Sequence, residues 1–195
     1  MPEPQEINDL EALKALAHPR RQKMLEHLAL HGPATSASLA RALGLNTGAT
    51  SYHLRELAKH GFVEELADKA HGRERWWRAV PGDRRFPPRS RQSPQVRAAL
   101  DQMNRMTFDA DVEAFSRFLS RRESLGEWAD AAPYSRSLLH LTLDEVREFF
   151  EEYIRLVNRF KRDAGDVPED ARPVYARFLA FPAIDPDPDP DLDDE

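Results

Sequence analysis

Between residues 18 and 61 the chain is punctuated at His18-Pro19, Gly32-Pro33, Gly44-Leu45-Asn46 and Gly61, and these breaks confine each intervening helix to a few turns. Proline lacks the backbone N–H that a continuing helix donates, and glycine readily takes the left-handed turn that closes one. The chain must therefore pack short helices against one another here. Ahead of the first break, Ile7, Leu10, Leu13, Leu16 and Ala17 recur at helical spacing and predict a first helix. Pro19 suits the first turn of a second helix capped by His18, with Met24, Leu25 and Leu28 as its apolar stripe. Thr35 or Ser36 caps a short third helix, Ala37–Leu43, that turns Leu39, Ala40 and Leu43 inward.

The stretch Asn46–Gly61 is bounded at both ends, by Asn46 or Thr47 as cap and Gly61 as terminator, and predicts a helix of about fourteen residues. Ala49, Leu54, Leu57 and Ala58 supply a narrow apolar stripe, while Thr50, Ser51, Tyr52, His53, Arg55 and Lys59 leave the other face polar and cationic. One face can dock and the other can read. Two helices joined by a short glycine-containing turn, the second polar on one side, fit a helix-turn-helix. Phe62–Leu66 then reads as a short strand, Ala67–Gly72 as a polar turn and Arg73–Val80 as a returning strand, a β-hairpin that would form a wing.

Residues 10–80 resemble the ArsR-like winged helix-turn-helix family of bacterial transcriptional regulators. The resemblance rests on Leu13-Lys14-Ala15-Leu16-Ala17-His18-Pro19-Arg20 with Leu25 and Leu28, on Ser51-Tyr52-His53-Leu54-Arg55-Glu56-Leu57 with Gly61-Phe62-Val63, and on Gly72-Arg73-Glu74 with Trp77. It implies a cytoplasmic, homodimeric repressor of palindromic operators, whose recognition helices enter successive major grooves of double-stranded DNA while the wings touch flanking backbone or minor groove. Such a family binds arsenic or soft metals through thiolates on the third helix; Ala37–Leu43 has no cysteine, so soft-metal sensing is not expected.

On this reading Thr47, Thr50, Ser51, Tyr52, His53 and Arg55 face base edges or phosphates, with Arg55 and His53 the leading candidates because their side chains reach hydrogen-bonding edges. Arg73 and Arg75 on the wing (67–75) hold backbone or minor groove, and Arg20, Arg21, Lys23, Arg41 and Lys59 position phosphates.

Charge supports this only through its distribution. The chain is acidic, with a formal charge of -6, but Asp185–Glu195 carries seven acidic residues and no basic one, leaving residues 1–184 at +1. Residues 1–80 also sum to +1, with 11 Lys or Arg against 10 Asp or Glu, so a basic surface must come from segregation within a nearly neutral domain. The tail Asp185–Asp191 alternates Asp with Pro and is expected to be extended.

Zero cysteines exclude disulfides, thiolate metal sites and a cysteine nucleophile. No segment approaches the roughly 18 apolar residues of a membrane span, and Met1–Glu6 lacks the regions of a secretory signal. His27 and His31 have metal-ligand spacing but suggest no further ligands, and no nucleophile elbow, phosphate-cradling loop or zincin motif occurs, so neither a cofactor, a metal nor an enzymatic activity is expected.

Beyond residue 80, Pro81–Pro94 reads as a Pro/Arg-rich linker, with a basic arm along phosphates as the rival reading. Val96, Ala99, Leu100, Met103, Met106, Ala110, Ala114, Phe115, Phe118 and Leu119 mark one long helix, or two broken near Thr107–Asp109. Ser120–Ala132 looks irregular, and Tyr134–Leu141 is a poor candidate strand. Thr142 with Glu145 forms a capping box for a helix bearing Val146, Phe149, Phe150, Tyr153, Leu156, Val157 and Phe160, and Arg172–Phe181 reads as a closing strand. The expected fold is mainly α with small β (α+β): a winged helix domain (1–80), a linker (81–94), a C-terminal dimerisation or effector domain (95–182) and an acidic tail (183–195). Pairing is expected through the C-terminal helices, with the first helix as a further contributor. Two other functions fit the sequence. Winged helices also bind proteins, and the aromatic C-terminal region could hold an unidentified small-molecule effector.

Overall fold

The computed structural model describes residues 5–67, 74–162 and 166–184, and the chain divides into two compact units, residues 1–132 and 133–195. The first unit opens with a short strand, β1 (Gln5–Glu6), followed by helices α1 (Leu10–Leu16) and α2 (Pro19–His31). Asp9 caps α1 by accepting from the backbone of Glu11 and Ala12, so Ile7 lies outside the helix although it is buried in the same core. His18 caps α2 through Nδ1, which accepts from Arg20 N–H at 3.2 Å. Strand β2 (Ala34–Thr35) leads into α3 (Ser36–Leu43), where Thr35 and Ser38 form a reciprocal capping box, and Gly44 in the left-handed conformation (φ 65°) ends it. α4 (Thr47–Lys59) follows, capped by Asn46 Oδ1 accepting from Ala49 N–H at 2.7 Å, and the chain leaves it through Gly61 at φ 71°.

Strands β3 (Val63–Glu65) and β4 (Trp76–Ala79) pair antiparallel, with Val63 opposite Ala79 and Glu65 opposite Trp77. The predicted turn between them falls largely in residues 68–73, outside the described residues. β2 adds a third strand on the other side of β4, giving the order β2-β4-β3 and tying the helix-turn-helix to the base of the wing.

The predicted linker is built into this unit. Strand β5 (Arg84–Arg85) pairs parallel with β1, a 3-10 turn forms at Arg89–Arg91, and Arg89 makes a two-pronged contact with Asp101. The Arg84 guanidinium lies over the Phe62 ring at 5.0 Å and donates to the Val80 carbonyl, and its burial lowers its pKa. α5 (Pro94–Arg121) runs unbroken through Thr107–Asp109; its first turns bury Val96, Leu100 and Met103 against α1. The core joins these three residues to Leu13, Leu16, Met24, Leu28, Leu39, Leu54, Leu57, Phe62, Val63 and Trp77. A 3-10 segment, Arg122–Asp130, turned at Gly126, ends the unit.

The second unit is built around α6 (Leu143–Phe160), whose Thr142–Glu145 capping box forms as predicted. Phe178 packs on its aromatic face, 5.4 Å from Phe149, 5.9 Å from Phe150 and 4.7 Å from Tyr153 between ring centres. The strands expected at Tyr134–Leu141 and Arg172–Phe181 do not form; neither segment has a neighbouring strand to complete a ladder, and none of the unit's described residues is fully buried.

Truncating Leu57, fully buried on α4, to Ala is expected to cost about 2–5 kcal/mol, read as a lowered urea midpoint with an unchanged slope.

Candidate nucleic-acid interface

The geometry of α4 follows from which of its residues point inward. Thr50, His53, Leu54 and Leu57, at helical spacing, are buried against α1, α2 and α3. Ala49 and Ala58, assigned to the apolar stripe from sequence, sit at its margins and are half-buried. Thr50 is fully buried, and its hydroxyl is satisfied by donating back to the Asn46 carbonyl at 3.0 Å. The opposite face presents Thr47, Gly48, Tyr52, Arg55 and Lys59 to solvent, with Ser51 half-buried at its edge. Tyr52 is 51% exposed, and Arg55 is braced along the helix by donating from Nε to the Ser51 carbonyl at 3.2 Å.

Three of the residues expected to touch nucleic acid are thus turned into the protein. Besides Thr50, they are His53, 6% exposed, and Arg21, 8% exposed. Arg21 Nε donates to His53 Nδ1 at 3.4 Å, and the rings of His18 and His53 lie 4.6 Å apart at 50°. Tyr52 meets His53 edge-on at 5.5 Å. Burial is the main reason the pKa of His53 lies below the ordinary histidine value, and the neighbouring His18, Arg21 and Arg20 lower it further, with Glu56 opposing them. His18 is shifted the same way, again first by burial and then by Arg21 and Arg20. The inward set 50, 53, 54, 57 was available from helical spacing, had the stripe been centred on Leu54 rather than spread to Ala49 and Ala58.

The remaining candidates lie on the surface. Arg20, Lys23 and Arg41 are exposed on α2 and α3. Arg75 is exposed beside β4 and sits 3.5 Å from Glu65, and Arg78 donates to Glu64 at 2.6 Å, so the base of the wing carries its own counter-charges. Arg73 lies outside the described residues. Among the described residues no cluster of three or more His, Asp or Glu is arranged to hold a metal, the rings of His27 and His31 lying 4.5 Å apart at a tilt of 47°, and no helix is long and apolar enough to cross a membrane.

Three short helices, a glycine turn and a hairpin that braces them define a winged helix-turn-helix, the module through which transcriptional regulators hold DNA. Residues 16–65, from the end of α1 through α4 to β3, match a family described as a helix-turn-helix domain. No curated protein matches the chain significantly. Among solved structures, the chain is similar to a fragment (residues 1–100) of a possible transcriptional regulatory protein from Mycobacterium bovis, at 24% identity over 52% of this chain and 88% of that one, TM-score 0.34. It is also similar to a MarR family transcription regulator, at 16% identity over 76% and 78%, TM-score 0.33. The transcriptional regulator Tm0710 from Thermotoga maritima matches at 13% identity over 76% and 84%, TM-score 0.32.

The two histidines give the unit a defined acid sensitivity. Their folded-state pKa values are depressed, so the unfolded chain binds more protons than the native one below the ordinary histidine value, and stability rises with pH through that window. Stability should therefore be complete above about pH 6.5 and fall as pH drops toward the depressed values; a replacement of His53 by Gln should flatten that fall in thermal melts across the series.

Proposed function

We propose that the chain is a sequence-specific, homodimeric regulator of the ArsR-like kind, acting as a repressor by holding palindromic double-stranded DNA. The observation that carries the reading is the division of α4: one face locked in the core, the other offering Thr47, Ser51, Tyr52, Arg55 and Lys59. Arg55 reads a base edge, most simply guanine O6 and N7, while Lys59, Arg20, Lys23 and Arg41 fix phosphates. Arg73 and Arg75 act from the wing on backbone or minor groove.

Two copies are supported by α5. Beyond the turns that pack on α1, it exposes Phe108, Val112, Phe115 and Leu119, each about half accessible and spaced four, three and four residues apart. That repeat is the seam of a helix pair, and a twofold mate supplies an identical stripe. With so few cations on each reading helix, one copy binds weakly and two set the spacing of half-sites.

Arg55→Ala should weaken binding to a selected duplex by roughly 1–3 kcal/mol and relax preference at one position, whereas Lys23→Ala should weaken all sequences alike and reduce the salt slope by about one. Mobility-shift titrations against selected and scrambled duplexes read both; binding that ignores salt between about 50 and 200 mM would instead favour a protein-binding winged helix. Sedimentation equilibrium should show a dimer that Phe115→Glu converts to monomer without loss of helix content; a wild-type monomer at all concentrations would remove the twofold reading.

A further inference from the structure

The His18–Arg21–His53 cluster serves neither the exposed face of α4 nor the apolar core, yet it joins the two. Its three side chains come from the start of α2 and the middle of α4, elements otherwise held by apolar contacts. We propose that Arg21 and His18 are positioning residues that set the reading helix through a neutral His53, so that DNA binding by this protein requires the cluster unprotonated and is released by mild acid.

The geometry defines the chemistry. Arg21 can only donate, and His53 Nδ1 can accept only while it carries no proton; the neutral ring then keeps its hydrogen on Nε2. Protonation of Nδ1 turns the contact into two donors facing each other. The charged groups around His53 give the cation no refuge. From α2 come His18, Arg20 and Arg21; from α4 itself come Tyr52, edge-on, and Glu56, the one acid acting on it among the described residues. Glu56 is itself only half-buried. A doubly protonated pair would place two imidazolium rings at the present 4.6 Å beside two guanidinium groups, in a corner where burial weakens solvent screening. Relief requires His53 to turn out or α2 to move from α4, and either displaces Tyr52 and Arg55, which share a turn with it.

This inference rests on the DNA-binding reading above, and its sign separates it from general electrostatics. Histidines that gain charge in acid ordinarily tighten a protein's hold on DNA. Here acid should loosen it, because binding is linked to release of a proton from His53.

The test is fluorescence anisotropy on a selected duplex, with the full chain, from about pH 8 to pH 5.5 at constant ionic strength. The dissociation constant should rise as pH falls through the depressed values that His18 and His53 have in the free folded protein, below the ordinary histidine range, approaching tenfold per pH unit for each proton released. Gln in place of His53 offers Arg21 an acceptor that does not titrate, and Asn in place of His18 keeps the cap on α2; the double variant His18→Asn/His53→Gln should lose this rise. Histidine ring NMR on the free protein gives a readout independent of DNA, and the His18 and His53 resonances should titrate below the ordinary range and disappear in the double variant, whereas that of His27, which burial also lowers, should remain. Circular dichroism at each pH confirms that the fold persists. Binding that tightens monotonically in acid, or a rise that the double variant keeps, would overturn the proposal; absence of specific DNA binding at every pH, with the low-titrating His18 and His53 resonances present, would instead overturn the function on which it rests.

Discussion

The inner face of α4 is the contact on which the arrangement depends. Leu54 and Leu57 are fully buried, and the helix meets α1, α2, α3 and β3 along that side. Each such side chain is worth about 1.5–3 kcal/mol, whereas an exposed ion pair of the kind joining Arg78 to Glu64 on the wing contributes roughly 0–1 kcal/mol. Apolar packing therefore fixes the helix, and the wing pairs trim the hairpin it leans on. Once the inner face is fixed, the direction in which Tyr52, Arg55 and Lys59 protrude follows from a repeat of 3.6 residues per turn.

Two polar residues in that face alter its character. Thr50 and His53 occupy positions where leucine would pack without needing a partner, and each is tolerated only because a specific acceptor or donor meets it. A buried polar group stripped of its partner costs about 1–3 kcal/mol, comparable to a whole buried side chain. The registration of α4 on α2 is thus more sharply specified than apolar contacts alone would make it, and more exposed to conditions that break one bond.

Helices α2 to α4 and α6 were legible because their ends are written in single residues: His18, Thr35, Asn46 and Thr142 cap, and Gly44 and Gly61 stop; α1 showed in its spacing, but its start at Asp9 did not. β2 and the β1–β5 pair were not, since two residues are too few to show a period and their partners lie far along the chain, Trp77 for Ala34 and Arg84 for Gln5. Arg172–Phe181 carried the opposite error: its Val, Tyr and Phe content before Pro182 suggests a strand, but a strand exists only where another offers hydrogen bonds. Within α4, Thr50 and His53 were assigned outward because of their polarity. Spacing placed them beside Leu54 and Leu57, and in a helix the angle outranks the chemistry of the side chain.

The charge pattern of the first unit acquires a meaning from these contacts. Glu64 and Glu65 are taken up by Arg78 and Arg75, Asp83 by Arg85 and Asp101 by Arg89. Arg20, Lys23, Arg41, Arg55 and Lys59, by contrast, make no ion pair among the described residues. A nearly neutral domain has sorted its charges, pairing those at the wing and along the β5 segment and leaving these cations of α2, α3 and α4 outside any ion pair among the described residues. Long-range attraction to a polyanion is weak for such a surface, because residues 1–80 sum to only +1 and salt screens exposed charges beyond roughly 10 Å. On the proposed reading, the protein recognises DNA at contact distance, through the shape and hydrogen bonds of α4, and so depends on how that helix is seated more than a strongly basic domain would.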